Sequence, residues 1–236
     1  MHFQAVIFDL DGTLLDTLAD IADSVNSTLA RFGLPTHRVD AYRQFIGDGI
    51  TMLVSRALPA EKRNDDIVTD CVKVFRENYS RNWKVNTRPY HDVEELLDSL
   101  SAKHVKMAVL SNKPDDFTKR AIDELLPNHS FEMILGQRDG VPRKPDPAGA
   151  LEIAEGLGIK PSRFLYLGDS AVDMETAVRA GMFPVGALWG FRPLEELWGH
   201  GAQALIHGPM ELLGLLKKLR NYEFRNFRKS ILQRQP

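Results

Sequence analysis

A single cysteine, Cys71, appears in 236 residues, so no intrachain disulfide can form and the chain suits a reducing compartment. No apolar run approaches the roughly 18 residues that a membrane span needs, and no basic stretch followed by a long apolar segment opens the chain, so neither a span nor a signal peptide is expected. Net charge is only −2, which gives no overall footprint for nucleic acid or a membrane surface. The seven histidines show no metal-ligand spacing, which argues against zinc. A Walker-type glycine loop and a dinucleotide fingerprint are both missing, which disfavours a nucleotide-dependent kinase or dehydrogenase. Internal repeats, low-complexity tracts and flexible linkers are missing too, and nothing sets an oligomeric state. These absences, with 43% hydrophobic and 26% charged residues, predict a soluble, cytoplasmic globular protein.

Charge is uneven along the chain. From Lys217 the last twenty residues hold seven Lys/Arg against Glu223, which leaves −8 on the rest (−2 minus +6). A solvated terminus accounts for that tail.

The hydrophobic period changes along the sequence. "AVIF" at 5–8 has the composition of a short buried strand. Leu18, Ile21, Ala22, Val25, Leu29 and Phe32 then fall at helical spacing, with Gly33 and Pro35 as the stop. "GITMLVSRAL" and the stretch from Glu61 to about Asn82 are also helical, and nothing between Leu18 and Asn86 reads as a strand. After "TRPY" the pattern alternates: helices near 91–102, 114–126, 147–157 and 171–180 precede the strands "VKMAVL", "EMIL", "RFLYL" and "PVGAL". "QALI" and a helix from Pro209 close the series. Such alternation predicts a doubly wound α/β fold with a Rossmann-like parallel sheet, residues 1–15 and 87–236, and an all-helical domain, residues 16–86, inserted after the first strand. Ligands of such sheets bind at the carboxyl ends of the strands.

Four polar clusters lie at those ends: "DLDGT", "SNKP", "RKPDP" and "GDSAVD". Each alone can be a turn or a cap. Together they are chemically complementary. Asp9, Asp11 and Asp169 concentrate negative charge that calls for a hard cation, and Mg²⁺ with oxygen ligands suits it. Lys144 beside that ion makes a seat for a phosphoryl group, with Ser111 and the main-chain N–H groups near Asn112 as donors. One carboxylate can then attack phosphorus, and a second can protonate the leaving oxygen and later activate water.

"DLDGTLLDT", "VLSNKP", "RKPDP" and "LGDSAVDMETA" resemble, in order, the four motifs of the haloacid-dehalogenase-like hydrolase superfamily. The insertion resembles that superfamily's helical cap, and "DTLADIADSVNSTLARFGLP" and "FIGDGITMLVSRAL" resemble its phosphoglycolate phosphatase branch. The resemblance implies Asp9 as nucleophile and Mg²⁺ ligand, and Asp11 as general acid/base with its carbonyl on the metal. It implies phosphoryl binding by Ser111 and Lys144, Asp169 as the remaining metal ligand, and Asp173 with Thr13 in support. Dehalogenating members typically lack the acid two residues after the nucleophile, so Asp11 favours phosphoryl chemistry.

Other positions are read more plainly. Asp16 suits the N-cap of the Leu18 helix, Arg143 a solvent-facing or acid-paired site, and Cys71 core packing. Trp189 and Trp198 are expected in the core, and Asp65 and Asp66 on a solvated face. Gly47 and Gly49 in "IGDGI" are either a loop reaching a substrate or a plain interhelical turn, and Arg43 and Arg56 are candidate partners for a substrate carboxylate. The expected reaction is hydrolysis of a small phosphorylated metabolite, 2-phosphoglycolate first. A pyrophosphatase, a phosphosugar phosphatase or mutase, and a non-catalytic Mg²⁺/phosphate-binding regulator are the rivals.

Overall fold

In β1 (Ala5–Phe8) successive side chains point to opposite faces, and both faces are buried: Val6 and Phe8 enter one apolar cluster, Ala5 and Ile7 another. A strand without a polar face belongs in the middle of a covered parallel sheet, and the rest of the chain supplies that cover. The computed structural model describes residues 3–218, so the basic segment beginning at Lys217 lies outside the residues whose side chains are described.

Past β1 the chain turns through a short β2 (Leu15–Asp16) into four helices: α1 (Leu18–Arg31), α2 (Tyr42–Phe45), α3 (Ile50–Ala57) and α4 (Asp65–Asn82). It returns through β3 (Arg88–Pro89), which pairs antiparallel with β2, so the two crossings between strand layer and helices lie side by side. As the periodicity predicts, α1 buries Leu18, Ile21, Ala22, Val25 and Leu29, whereas Phe32 falls past its last turn and stays exposed. The helix expected from Glu61 is interrupted. A short 3-10 turn covers Ala60–Lys62, and α4 starts only after Asn64, whose side chain accepts from the Ile67 N–H at 2.9 Å. Such a cap is worth about 1 kcal/mol and sets where the helix begins. The N-cap of α1 is Thr17 and not Asp16 as expected, because the helix starts one residue later than that reading requires; Asp16 Oδ1 only accepts loosely from the Leu18 N–H at 3.4 Å.

The alternating part follows as α5 (Val93–Ala102), β4 (Lys106–Pro114), α6 (Asp115–Leu125), β5 (Met133–Gln137), α7 (Ala148–Gly156), β6 (Phe164–Gly168), α8 (Ala171–Ala180), β7 (Phe183–Ala187), α9 (Leu194–Gly199), β8 (Ala204–Ile206) and α10 (Glu211–Lys218). Six strands form a parallel sheet in the order β5-β4-β1-β6-β7-β8. Helices α5 and α6 cover the Val6/Phe8 face, and α7 and α8 cover the Ala5/Ile7 face. The α/β class and the parallel sheet are as the sequence indicates; α9 is an addition hidden in "FRPLEELWG".

Two details of this frame position the site. Strand β1 sits centrally with β4 and β6 beside it, so the segments leaving all three emerge at one edge. Strand β4 runs four residues beyond the predicted "VKMAVL", and its register shifts between Leu110 and Pro114. Residues Ser111, Asn112 and Lys113 occupy that irregular stretch, where a broken ladder re-aims side chains. Cys71 is fully buried in α4, as core packing requires. Of the two tryptophans expected inside, Trp189 is half-buried and donates through Nε1 to the Thr13 carbonyl at 3.0 Å, whereas Trp198 is exposed on the short α9. Among the described residues no helix is long and apolar enough to cross a membrane.

Candidate active site

Asp9 directly follows β1, and its N–H donates to the Leu167 carbonyl at 2.9 Å, extending the sheet by one bond before the chain turns. The turn needs Gly12, whose φ is +90°. A Cβ there would lie 2.3 Å from Asp169 Oδ2, so glycine is required both by conformation and by the close approach of the β6 terminus.

Lys144, on the loop after β5, reaches the same point. Its Nζ donates to Asp9 Oδ1 and to Asp173 Oδ1, both at 2.7 Å, and to the Leu110 carbonyl at 3.1 Å. Asp169 accepts from the Phe191 N–H at 2.6 Å and, more loosely, from Thr13 Oγ1 at 3.5 Å. Asp173 is fully buried in the first turn of α8, and its Oδ2 accepts from the N–H and Oγ of Ser170 in a capping box. Carboxylate oxygens of Asp9, Asp169 and Asp173 all lie within 4.8 Å of one another.

The electrostatics follow from that crowding. Three buried carboxylates face one ammonium, a residual charge of −2. Burial, then the neighbouring Asp173, push the Asp9 carboxyl up to about 7 despite the Lys144 ion pair. Burial and the charges of Asp9 and Asp173 hold Asp169 well above the ordinary carboxylate range. Burial alone would depress Lys144, but Asp173 and Asp9 outweigh it and keep the ammonium charged. The donors are all hard oxygens and the surplus is two negative charges, so a divalent ion such as Mg²⁺ fits. Asp9 and Asp169 would hold it, since both Asp173 oxygens are already engaged by Lys144 and Ser170.

Ser111 and Asn112 border the same cavity, of about 60 Å³, whose opposite wall comes from the helical insertion. The Asn112 side chain is a brace: Oδ1 accepts from the Lys144 N–H at 2.9 Å, while Nδ2 donates to the carbonyls of Lys144 at 3.1 Å and Gly47 at 2.9 Å. Gly47 and Gly49 line the cavity, and the bond from Asn112 ties their loop to the sheet edge. Arginines cross in both directions. Arg43 of the insertion donates to the Gly190 carbonyl at 2.9 Å, and Arg192 donates to the Ile46 carbonyl at 2.8 Å. The insertion is therefore shut over the strand ends.

Arg43 and Arg56, the candidate carboxylate partners, do not line the cavity. Arg43 is held at Gly190, and Arg56 is spent on Asp48 at 2.5 Å and the Phe45 carbonyl at 3.1 Å. Arg143 is exposed and reaches the Asp48 carbonyl at 3.4 Å. Lys113 also borders the cavity beside Lys144, buried and bonded to both Asp11 oxygens at 2.9 and 3.1 Å. Its signal in the sequence was its place two residues after Ser111 at the end of β4, although the register there is irregular. Arg192 and the apolar wall of Ile21, Ile50, Leu53, Phe75 and Phe117 are further cavity residues that the motifs do not mark.

Comparison with known proteins places this geometry. The haloacid dehalogenase-like hydrolase family profile matches residues 6–187. Phosphoglycolate phosphatase of Aquifex aeolicus is 36% identical over 82% of this chain and 88% of its own length. Phosphoglycolate phosphatase 1 of Pseudomonas aeruginosa is 35% identical over 82% of this chain and 73% of its own. A crystal structure from Lactobacillus delbrueckii subsp. bulgaricus, of a protein proposed to be a phosphoglycolate phosphatase, superposes with a TM-score of 0.86 at 31% identity, covering 92% of this chain and 99% of that one. Matched over most of its length in sequence and in fold, this chain belongs to the haloacid dehalogenase-like hydrolase family.

Proposed function

We propose that this phosphatase hydrolyses 2-phosphoglycolate to glycolate and phosphate through an aspartyl-phosphate formed on Asp9. The observation that carries the reading is the Lys144 ammonium, 2.7 Å from Asp9 Oδ1, inside a cluster of carboxylates left with two surplus negative charges. A divalent ion would offset that surplus, and together with the Lys144 ammonium it would make a cationic seat for a dianionic phosphoryl group. The relatives named phosphoglycolate phosphatase support the choice of substrate.

An Asp9 carboxylate oxygen attacks phosphorus, and the P–O bond to the leaving group breaks while Asp11 gives that oxygen a proton. Asp11, now a carboxylate, takes a proton from water, whose oxygen attacks the phosphorus of the acyl phosphate. Phosphate leaves, and Asp9 is regenerated. Lys144, Ser111 Oγ and the Asn112 main-chain N–H orient the phosphoryl oxygens, and Asp173 with Thr13 steady Lys144 and Asp169. Mg²⁺, held by Asp9, Asp169 and the Asp11 carbonyl, would supply positive charge to the phosphoryl oxygens. Residues 16–86 act as a cap that excludes water, and Gly47 and Gly49 let the main chain come close to the substrate carboxylate. With one cysteine and a small metabolite as substrate, the cytoplasm is the proposed place of action.

The test is phosphate release from 2-phosphoglycolate with Mg²⁺ and again with excess EDTA, for the native enzyme and for Asp9→Asn. Metal-dependent release with kcat/KM above about 10⁴ M⁻¹s⁻¹, lost by about 10⁴-fold or more in Asp9→Asn, is expected. Turnover of an aryl phosphate but not of 2-phosphoglycolate would overturn the substrate alone. Retained activity in folded Asp9→Asn would overturn the covalent step.

A further inference from the structure

Lys113 carries a buried charge that the proposed chemistry does not use. Its ammonium has three N–H donors, and three acceptors meet it: Asp11 Oδ1 at 2.9 Å, Asp11 Oδ2 at 3.1 Å and the Tyr79 hydroxyl at 2.8 Å. No donor is left for a substrate. Both groups are almost wholly inside, with side-chain exposures of 6% for Lys113 and 13% for Asp11.

The three residues come from different parts of the chain. Asp11 follows β1, Lys113 lies in the irregular end of β4, and Tyr79 is in α4 of the insertion. Tyr79 is rigidly held: its ring stacks on Phe75 at 5.4 Å, meets Phe117 edge-on at 5.2 Å and faces the Lys113 ammonium at 4.8 Å. A lysine side chain is a flexible stem with a freely rotating head, and it fixes a partner only where its own position is fixed. Here that restraint is supplied by the insertion.

We propose that Lys113 is a positioning residue that couples closure of the helical insertion to the aim of the Asp11 carboxylate, with the Tyr79 hydroxyl as the closing contact. The inference rests on the reading of Asp11 as the acid/base. With the insertion shut, the ammonium is anchored on both sides and holds Asp11 by both oxygens when it is the carboxylate that takes a proton from water, and by one oxygen when the other carries the proton for the leaving group, which limits rotation of the carboxyl group to orientations that face the cavity. With the insertion open, Tyr79 withdraws, Lys113 regains its freedom and Asp11 loses its aim. Proton transfer is thereby confined to the closed state, where water is excluded.

The test separates proton transfer from everything else by leaving group. kcat/KM reports the steps up to formation of the phosphoenzyme, in which an alkyl phosphate needs a proton on its leaving oxygen and an activated aryl phosphate does not. Tyr79→Phe keeps the ring and its stacking and removes only the hydroxyl. We expect the ratio of kcat/KM for 2-phosphoglycolate to that for p-nitrophenyl phosphate to fall about tenfold, the scale of one hydrogen bond to a charged group. In Lys113→Met the ratio should fall further, and Lys113→Arg should restore part of it. Ratios within about twofold of native in both Tyr79→Phe and Lys113→Met would overturn the inference, because loss of packing or of substrate binding moves both esters together. Should Lys113→Met fail to fold, the ratio in Tyr79→Phe decides alone. A native enzyme that hydrolyses neither ester would overturn the phosphatase reading itself, and the two failures are distinct.

Discussion

Asp20 and Thr87 fasten the two ends of the helical insertion to each other: the Thr87 N–H and hydroxyl donate to Asp20 Oδ2 at 2.8 and 2.7 Å. Asp20 stands in the first turn of α1, just after the chain leaves the sheet, and Thr87 lies just before it returns through β3. Asn86 adds its N–H and its side-chain amide to the same carboxylate, at 2.9 Å each. Asp20 and Thr87 are buried, so water cannot replace the acceptor lost to Thr87, whereas Asn86 is exposed and water can reach its donors.

Asp20→Ala would therefore strand the two buried Thr87 donors at the crossing between insertion and sheet and leave those of the exposed Asn86 to water. A loss of about 3 kcal/mol is expected, from desolvated donors left without partners, and Asp20→Asn should lose less because one acceptor oxygen remains. Urea unfolding measures it through the midpoint, with the slope as the check on two-state behaviour. A shift below about 0.5 kcal/mol would show that the crossing is held by the β2–β3 pairing instead.

How far the site was legible in the sequence depended on what each residue's position encodes. Asp9, Ser111 and Asp169 announce themselves because an apolar run of strand length breaks off at a polar residue, and a parallel sheet brings all such breaks to one edge. Lys144 needed the motif order, since its loop is irregular. The Lys113–Tyr79 contact was not legible: α4 has helical spacing that says which face is apolar, but the docking of that helix over a particular strand end is a tertiary fact. The partners of Arg43 and Arg56 were hidden for the same reason, as their sequence neighbourhood gave no sign of the carbonyls and the aspartate that hold them. The break before Asn64 was visible only as a capping residue inside an apparent helix, and α9 as six residues after a proline.

Gly12 tests the closeness of the two acidic loops. Gly12→Ala places a Cβ 2.3 Å from Asp169 Oδ2 and 2.9 Å from the Phe191 ring while forcing alanine to a φ of +90°. Strain of about 1–3 kcal/mol is expected, with Asp169 displaced and Mg²⁺ affinity weakened roughly 10–100-fold. Gly33→Ala is the control: its φ is +66° but no atom lies within 4 Å of the added Cβ. It should lose about 1–2 kcal/mol of stability with no change in metal affinity. Isothermal titration with Mg²⁺ separates the two, and equal affinities in both variants would mean that Asp169 does not hold the ion.

The surplus charge at Asp9, Asp169 and Asp173 makes stability depend on pH and on metal together. Burial and mutual repulsion raise Asp9 to about 7 and Asp169 well above its ordinary range, whereas both would titrate near 4 in the unfolded chain. Between about pH 4 and 7 the native, metal-free protein thus binds more protons than the unfolded one, so its stability falls as pH rises through that window. The ion-paired Asp115, Glu124 and Glu152 have lowered values, and their contribution is lost only on acidification below that range. In EDTA the melting temperature at pH 8 should lie roughly 3–6 °C below that at pH 6, from about 1–2 kcal/mol of uncompensated repulsion. Excess Mg²⁺ should remove this difference, because the ion competes with protons for the same carboxylates and gains most where they are ionised. Asp9→Asn, with one charge fewer, should flatten the pH dependence in EDTA. Thermal unfolding at pH 5, 6, 7 and 8, with and without Mg²⁺, decides: a melting temperature that rises with pH in EDTA would mean that the carboxylate cluster is already neutralised by the chain itself and has no need of a cation.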